Sequence, residues 1–360
     1  MLRMAEPLIH HRSAEFRAVA ARVNDNLRYV FQTASPVVTL TCSGTGGVEA
    51  TFVSLFSPGD TVIAVNGGKF GARWVAMPRT FGLNSVEVQV PWGNAATADD
   101  LIPVLRAHPE ARAVYLTHSE TSTGTALDIR ALAAAVRAHS GALVCVDGIS
   151  SVGALELRCD DWGVDVCVTA SQKGLMLPPG LAFVALGERA VAAVGRSRMP
   201  RFYFDLGAAL RAHASADTPW TPAIQLVLGA DTALGMIREE GIERVWERHR
   251  RLARGFRAGV AALGLRLFSA APSDAVTALH VPAGVAWDAL RGALREQGGI
   301  TVAGGQGEYA GKIFRVAHLG YFDEMDMITA VAALERALAA CGTGGANGVG
   351  VAAAAQALAR

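Results

Sequence analysis

The chain opens with a helical pattern over residues 13–31. Ser13 stands in the N-cap position, and the apolar residues Phe16, Val19, Ala20, Val23, Leu27 and Val30 recur at spacings of three and four that place them on one face. Short, continuously apolar runs then alternate with helical stretches. Residues 37–41, 61–65, 85–90, 113–117, 142–147, 164–169 and 181–185 read as strands, and 48–56, 70–81, 97–107 and 129–139 as helices. A strand that is apolar on both faces is buried on both faces. Such strands separated by helices predict an α/β layer structure with a mostly parallel central sheet covered by helices on both sides. In sheets of this kind ligands sit outside the carboxyl ends of the strands.

The texture changes after residue 222. Two long helical stretches, 222–239 and 242–263, lead into shorter alternating segments at 275–281, 287–297, 300–303, 313–317 and 324–341. They predict a smaller C-terminal α+β domain. The expected division is a large domain over 1–240, which includes the N-terminal helix, a small domain over 241–341, and a Gly/Ala-rich mobile tail over 342–360.

Composition narrows the function classes. With 51% hydrophobic and 18% charged residues the chain can bury a sizeable core. A net charge of +1 without a basic stripe argues against a nucleic-acid partner. No apolar run reaches the length of a membrane span, and residues 1–7 carry no apolar signal segment, so a cytoplasmic enzyme is expected. Cys42, Cys145, Cys159, Cys167 and Cys341 are scattered without a CxxC pair, which indicates neither a disulfide framework nor a metal site. The basic residues are unevenly divided: only Lys69, Lys173 and Lys312 are lysines, and thirty are arginines. Any chemistry that needs an amine has three candidates.

Three local features carry chemistry. Ser43-Gly44-Thr45-Gly46-Gly47 follows one apolar strand and opens a helix, where free N–H groups, the positive end of the helix dipole and two hydroxyls could cradle an anion. Asp147 ends the run Ala142-Leu143-Val144-Cys145-Val146. It serves either as a cap for the following turn or as a carboxylate aimed into the cleft, where it would keep a ring nitrogen protonated. Lys173, in Ser171-Gln172-Lys173-Gly174, lies just past the strand over 164–169 and ahead of Pro178-Pro179-Gly180. A partly desolvated amine there is suited to Schiff-base formation with an aldehyde. Lys69 and Lys312 lie in Gly-containing loops and read as surface residues.

Together these features resemble fold-type I pyridoxal phosphate enzymes. The finer match is to class V aminotransferases of the alanine–glyoxylate and serine–pyruvate branch. The resemblance runs from about residue 7 to about residue 341. It rests on Ser43-Gly44-Thr45, Phe56-Ser57-Pro58-Gly59-Asp60, Asn66-Gly67 with Phe70-Gly71, Thr117-His118-Ser119-Glu120-Thr121-Ser122-Thr123-Gly124, Val146-Asp147, Ser171-Gln172-Lys173 with Pro178-Pro179-Gly180, and Gly304-Gly305 leading to Arg315.

The resemblance implies a transaminase that moves an amino group from alanine or serine to glyoxylate or pyruvate by a ping-pong route. It implies pyridoxal phosphate held by Lys173, with Asp147 on the pyridinium and Ser43, Gly44, Thr45 and Gln172 on the phosphate. Phe70 would stack on the ring, Ile149 would line it, and Ser122 would bind near the phenolic oxygen. Arg315 would grip the substrate carboxylate. Thr221 would reach the phosphate of a neighbouring subunit, which implies a homodimer with shared sites.

His118 is expected to be structural. Relatives begin with a Gly-Pro-containing segment that helps wall the pocket, whereas this chain reaches its first long helix at Ser13. A binding protein on a decayed scaffold is one alternative. Desulfurase or lyase chemistry is the other; it needs a nucleophilic Cys ahead of the carboxylate-binding arginine, and none lies between Cys167 and Arg315.

Overall fold

A computed structural model describes residues 1–343 and 348–359. The N-terminal helix forms as its periodicity requires: α1 (Ala14–Phe31) is capped by Ser13, whose Oγ accepts from the Phe16 amide at 3.1 Å. The large domain then follows as β1 (Val37–Leu40), α2 (Gly44–Leu55), β2 (Thr61–Asn66), α3 (Lys69–Thr80), β3 (Asn84–Gln89), α4 (Ala98–Ala107), β4 (Ala113–Thr117), a small hairpin β5 (Ser119–Glu120) and β6 (Thr125–Ala126), α5 (Ile129–His139), β7 (Leu143–Asp147), β8 (Val166–Ala170), β9 (Ala182–Leu186), α6 (Glu188–Val194), α7 (Leu206–His213) and α8 (Ile224–Glu240).

Seven of these strands form one sheet in the order β1-β9-β8-β7-β4-β2-β3. Six run in one direction, and β9 alone runs against its neighbours β1 and β8. The pleat sorts the core into two layers. Val114, Leu116, Val144 and Val146 face α1, α4, α5 and α8, whereas Tyr115, Cys145, Val166 and Val168 face α2, α3, α6 and α7. The carboxyl ends of β1, β2, β4, β7 and β8 therefore open at one edge, between α2 and α3.

The remaining elements are α9 (Ile242–Ala262), β10 (Val276–His280), α10 (Trp287–Glu296), β11 (Ala303–Gly304), β12 (Ile313–Ala317), α11 (Glu324–Ala340) and α12 (Val349–Leu358). The sheet β10-β12-β11 is antiparallel. The chain breaks between α8 and α9 at Gly241, and α9 packs against two cores. Its first turns, with Ile242, Val245 and Trp246, sit in the large-domain core, and its later residues Leu252, Phe256 and Val260 sit in the small-domain core. No described helix is long and apolar enough to cross a membrane.

The expectation of a mobile tail over 342–360 is corrected for its later part. Residues 349–358 form α12, which lies along α9 and buries Ala354 and Leu358. Glycines 255 and 259 make the groove, because a Cβ at Gly255 would collide with the Leu358 side chain and one at Gly259 would come within 3.1 Å of Ala354 Cβ. Residues 344–347 and 360 of that expected tail lie outside the described residues.

Candidate active site

At the open edge of the large sheet lies a cavity of about 210 Å³, lined among others by Ser43, Thr45, Phe70, Asp147, Gln172 and Lys173. The sequence places these residues on four different segments, and the fold brings them together.

The floor is Asp147, at the end of β7 and 5% exposed. Its Oδ1 accepts from the Ile149 amide at 2.9 Å and its Oδ2 from the Trp74 indole N–H at 2.7 Å. Both donors are neutral. Burial pushes its pKa up to about 6, against the pull of these two hydrogen bonds. The turn-capping and cleft-facing readings of Asp147 thus hold together: one oxygen caps the turn while the carboxylate lines the cavity.

Trp74, Phe70 and Arg73 come from one face of α3, at spacings of three and four. The orientation of that helix is set by Glu120, a buried carboxylate. Its Oε2 accepts from the Phe70 and Gly71 amides at 3.0 and 2.9 Å, an acid placed at the positive helix end. Its Oε1 accepts from the Ser122 hydroxyl at 2.6 Å, and Ser122 Oγ in turn accepts from the Lys69 amide at 2.9 Å. Ser122 is therefore consumed in holding α3, and it does not line the cavity. The expected contact of Ser122 with the cofactor is corrected: its neighbours Ser119 and Thr121 are the hydroxyl residues that face the space.

The glycine run opens α2. Ser43 is the N-cap of α2, yet its hydroxyl makes no cap hydrogen bond, so it remains available to a ligand. Gly44 lets the start of α2 press against the ring-lining residue: a Cβ there would stand 2.7 Å from Ile149 Cδ1 and 3.1 Å from Ala170 Cβ. Gln172 contributes a buried Oε1 with no partner. A free hydroxyl, the NH2 donors of the Gln172 amide and a helix N-terminus suit an anionic group. A buried carboxylate with neutral hydrogen-bond donors and no ion pair suits a pyridinium. The residues present fit pyridoxal phosphate.

Lys173 follows β8, half-buried at the cavity wall. Its backbone is held on both sides. A Cβ at Gly174 would collide with the Val152 carbonyl, and one at Gly320 would come within 3.3 Å of the Lys173 carbonyl. Burial, then the nearby Arg315, lower the Lys173 pKa, and Asp147 opposes them. The other two lysines are exposed, as expected. Arg315, on β12, stands outside the lining and joins the two domains: its Nε donates to the Gly304 carbonyl at 3.0 Å and its Nη1 to the Thr121 carbonyl at 2.9 Å. Burial lowers its pKa, but an arginine stays charged. Thr221 is exposed on the surface ahead of α8 and takes no part in the cavity of its own chain. His118 is buried behind Asp147, where desolvation lowers its pKa to about 4. A neutral, enclosed imidazole agrees with a structural role.

Sequence reasoning left out Trp74, Arg73 and Glu120 as site residues. The i, i+3, i+4 spacing of Phe70, Arg73 and Trp74 is the signal that could have grouped the first two. Glu120 carries no comparable signal, because a buried acid that caps a distant helix looks like any loop glutamate.

Comparison with known proteins agrees with this geometry. The family model described as aminotransferase class-V matches residues 4–317. The chain is 40% identical to the soluble hydrogenase 42 kDa subunit of Anabaena cylindrica, over 99% of this chain and 94% of that protein. It is 39% identical to an L-aspartate–glyoxylate aminotransferase of Paracoccus denitrificans, over 97% of this chain and 90% of that protein. A crystal structure of pyridoxamine–pyruvate aminotransferase from Mesorhizobium loti superposes with a TM-score of 0.94 at 32% identity, covering 99% of this chain and 93% of the other. The strand-end lysine, the buried carboxylate and the glycine cradle belong to one known scaffold, and this chain is a member of the class V aminotransferases, a pyridoxal phosphate-dependent transaminase of fold type I.

Proposed function

We propose that the chain transfers the amino group of a small amino acid, alanine or serine, to glyoxylate or pyruvate by a ping-pong mechanism. The carrying observation is that Lys173 and Asp147 line one cavity, with Arg315 close enough to perturb the Lys173 amine. Two of the relatives bear names that agree on a small 2-oxo acid and differ on the donor, so the acceptor side has the broader support.

Lys173 would hold pyridoxal phosphate through its aldehyde, and the bound group would supply an electron sink for charge developing at the substrate Cα. Lys173 acts as the base. Burial and the nearby Arg315 lower its pKa, which favours the neutral, proton-accepting form of the amine. Asp147 provides the negative charge for the ring nitrogen. Ser43, Gly44, Thr45 and Gln172 hold the phosphate, while Phe70 and Ile149 pack the ring. Thr121 takes the polar contact at the ring edge. Arg315 presents the unspent part of its guanidinium fork to the substrate carboxylate. Thr221, exposed on its own chain, is assigned to the partner's phosphate in a cytoplasmic homodimer with shared sites.

A donor–acceptor matrix tests the reading. Mixing the holoenzyme with alanine or serine should shift the cofactor absorbance, and adding glyoxylate or pyruvate should reverse it. A holoenzyme that converts neither donor would end the proposal. Conversion of aspartate alone would move the donor to a dicarboxylic amino acid. Gel filtration of the holoenzyme as a monomer, still active at dilution, would remove the shared site.

A further inference from the structure

The assigned phosphate ligands are all uncharged. A phosphate ester carries about −1.5 to −2 charge at neutral pH, whereas a helix N-terminus supplies only about half a positive charge. The cavity is lined by two cations, Lys173 and Arg73. Lys173 is committed to the aldehyde end of the cofactor.

Arg73 spans the mouth of the cradle from α3 to α2. Its Nη1 donates to Thr45 Oγ1 at 2.9 Å, and its Cζ lies 5.2 Å from the Phe70 ring centroid. Among the described residues that hydroxyl is its hydrogen-bond partner, so most of its five N–H donors are unspent. The bond also has a direction. A threonine hydroxyl that accepts from a guanidinium keeps its own proton for donation elsewhere, and here the elsewhere is the cradle.

We propose that Arg73 is the charge partner of the cofactor phosphate, acting directly through its free guanidinium edge and through the Thr45 hydroxyl that it orients. The proposal rests on the seating of the phosphate at Ser43–Thr45 given above. It makes Arg73 a cofactor-binding residue rather than one of many solvated arginines. It also gives α3 a triple duty: Trp74 for the carboxylate that faces the ring nitrogen, Phe70 for the ring and Arg73 for the phosphate.

The test compares two ligands that differ only in the phosphate. Cofactor-free protein is titrated with pyridoxal phosphate and with pyridoxal, and binding is followed by absorbance and by quenching of tryptophan fluorescence. Arg73→Met, which keeps an apolar stem over Phe70, should weaken pyridoxal phosphate by about 10- to 100-fold and leave pyridoxal close to wild type. Arg73→Lys should recover much of the loss. Inorganic phosphate should compete with pyridoxal phosphate in the wild type and much less in Arg73→Met. Unchanged binding of pyridoxal phosphate by Arg73→Met would overturn the proposal. Equal losses for both ligands would overturn it as well, since they would assign Arg73 to the ring stack. Because Arg73 is exposed on α3, these variants are expected to fold, which circular dichroism checks. Failure of wild-type protein to bind pyridoxal phosphate at all would instead strike the seating of the cofactor in this cavity.

Discussion

Two aspartates lie within one strand length of each other in the large domain, and the chain treats them in opposite ways. Asp165, 3% exposed just ahead of β8, accepts from the Val144 amide at 2.8 Å and forms ion pairs with Arg137 at 3.2 Å and Arg189 at 3.1 Å. Asp147, 5% exposed at the far end of β7, receives only the Trp74 indole and one amide. Burial raises the pKa of both. At Asp165 the protein neutralises the charge itself. At Asp147 it supplies shape and neutral hydrogen-bond donors and forms no ion pair, and the Arg73 charge acts only from a distance. A buried acid whose hydrogen bonds are complete but whose charge is not is an acid kept for something that arrives later. That distinction identifies a functional carboxylate better than burial does.

Substitutions can break this contrast. Lys173→Ala sets the floor: transamination should fall by about 10³- to 10⁴-fold or more, with loss of the cofactor's absorbance band and little change in melting temperature. Asp147→Asn keeps the size and an acceptor but removes the charge, so turnover should fall by about 10²- to 10³-fold while the cofactor-free protein melts no lower than wild type. Asp165→Asn should do the reverse. It leaves two arginines without their acid and should cost about 2 kcal/mol of stability, the figure for a broken buried pair reduced because both guanidiniums reach solvent. Activity per folded molecule should be retained. If Asp165→Asn lost turnover and kept its stability, the division between the two acids would be wrong.

Titration sharpens the same point. In the cofactor-free protein Asp147 has a folded pKa of about 6, above the ordinary carboxylate value of about 3.9. The folded state therefore holds that proton more tightly than the unfolded chain does. The contribution of Asp147 to stability is fully present below about pH 4 and is lost as pH rises through about 6, by an amount on the order of 3 kcal/mol. Melting curves of wild type and Asp147→Asn should diverge with that sign across the window. A wild type that gains on the variant as pH rises would refute it. The smallest expected effect concerns the neighbouring hydroxyls. Ser122→Ala should cost about 1 kcal/mol through the α3 cap and leave pyridoxal phosphate affinity nearly unchanged, whereas Thr121→Ala should lower affinity with little loss of stability.

The large domain was legible because most of its strands are apolar on both faces and its helices are amphipathic, so period and length decide the elements. The direction of β9 was not, since a continuous apolar run reads the same in either sense. Lys173 stood out through the scarcity of lysine, and Asp147 through its place at a strand end. Thr121 and Ser122 could not be told apart in sequence: they are neighbours in the turn between β5 and β6, and the geometry of that turn decides which one meets the cavity. Helix α12 was hidden by its composition, since alanine and glycine give a weak apolar signal. The clue lay in another segment. Glycines at 255 and 259 weaken α9 as a helix, and that cost makes sense once a second helix fills the groove they leave.

The close backbone contacts that flank Lys173 have a stereochemical consequence. With Gly174 against the Val152 carbonyl and Gly320 against the Lys173 carbonyl, the lysine is an arm on a fixed pivot, and its amine enters the cavity from one side only. Protons are then taken from, and returned to, one face of a planar carbon. A racemic donor should be consumed to one half and no further, and the amino acid formed from the oxo acid should have a single hand. The handedness of the reaction would follow from the side of the cavity at which the end of β8 delivers its lysine.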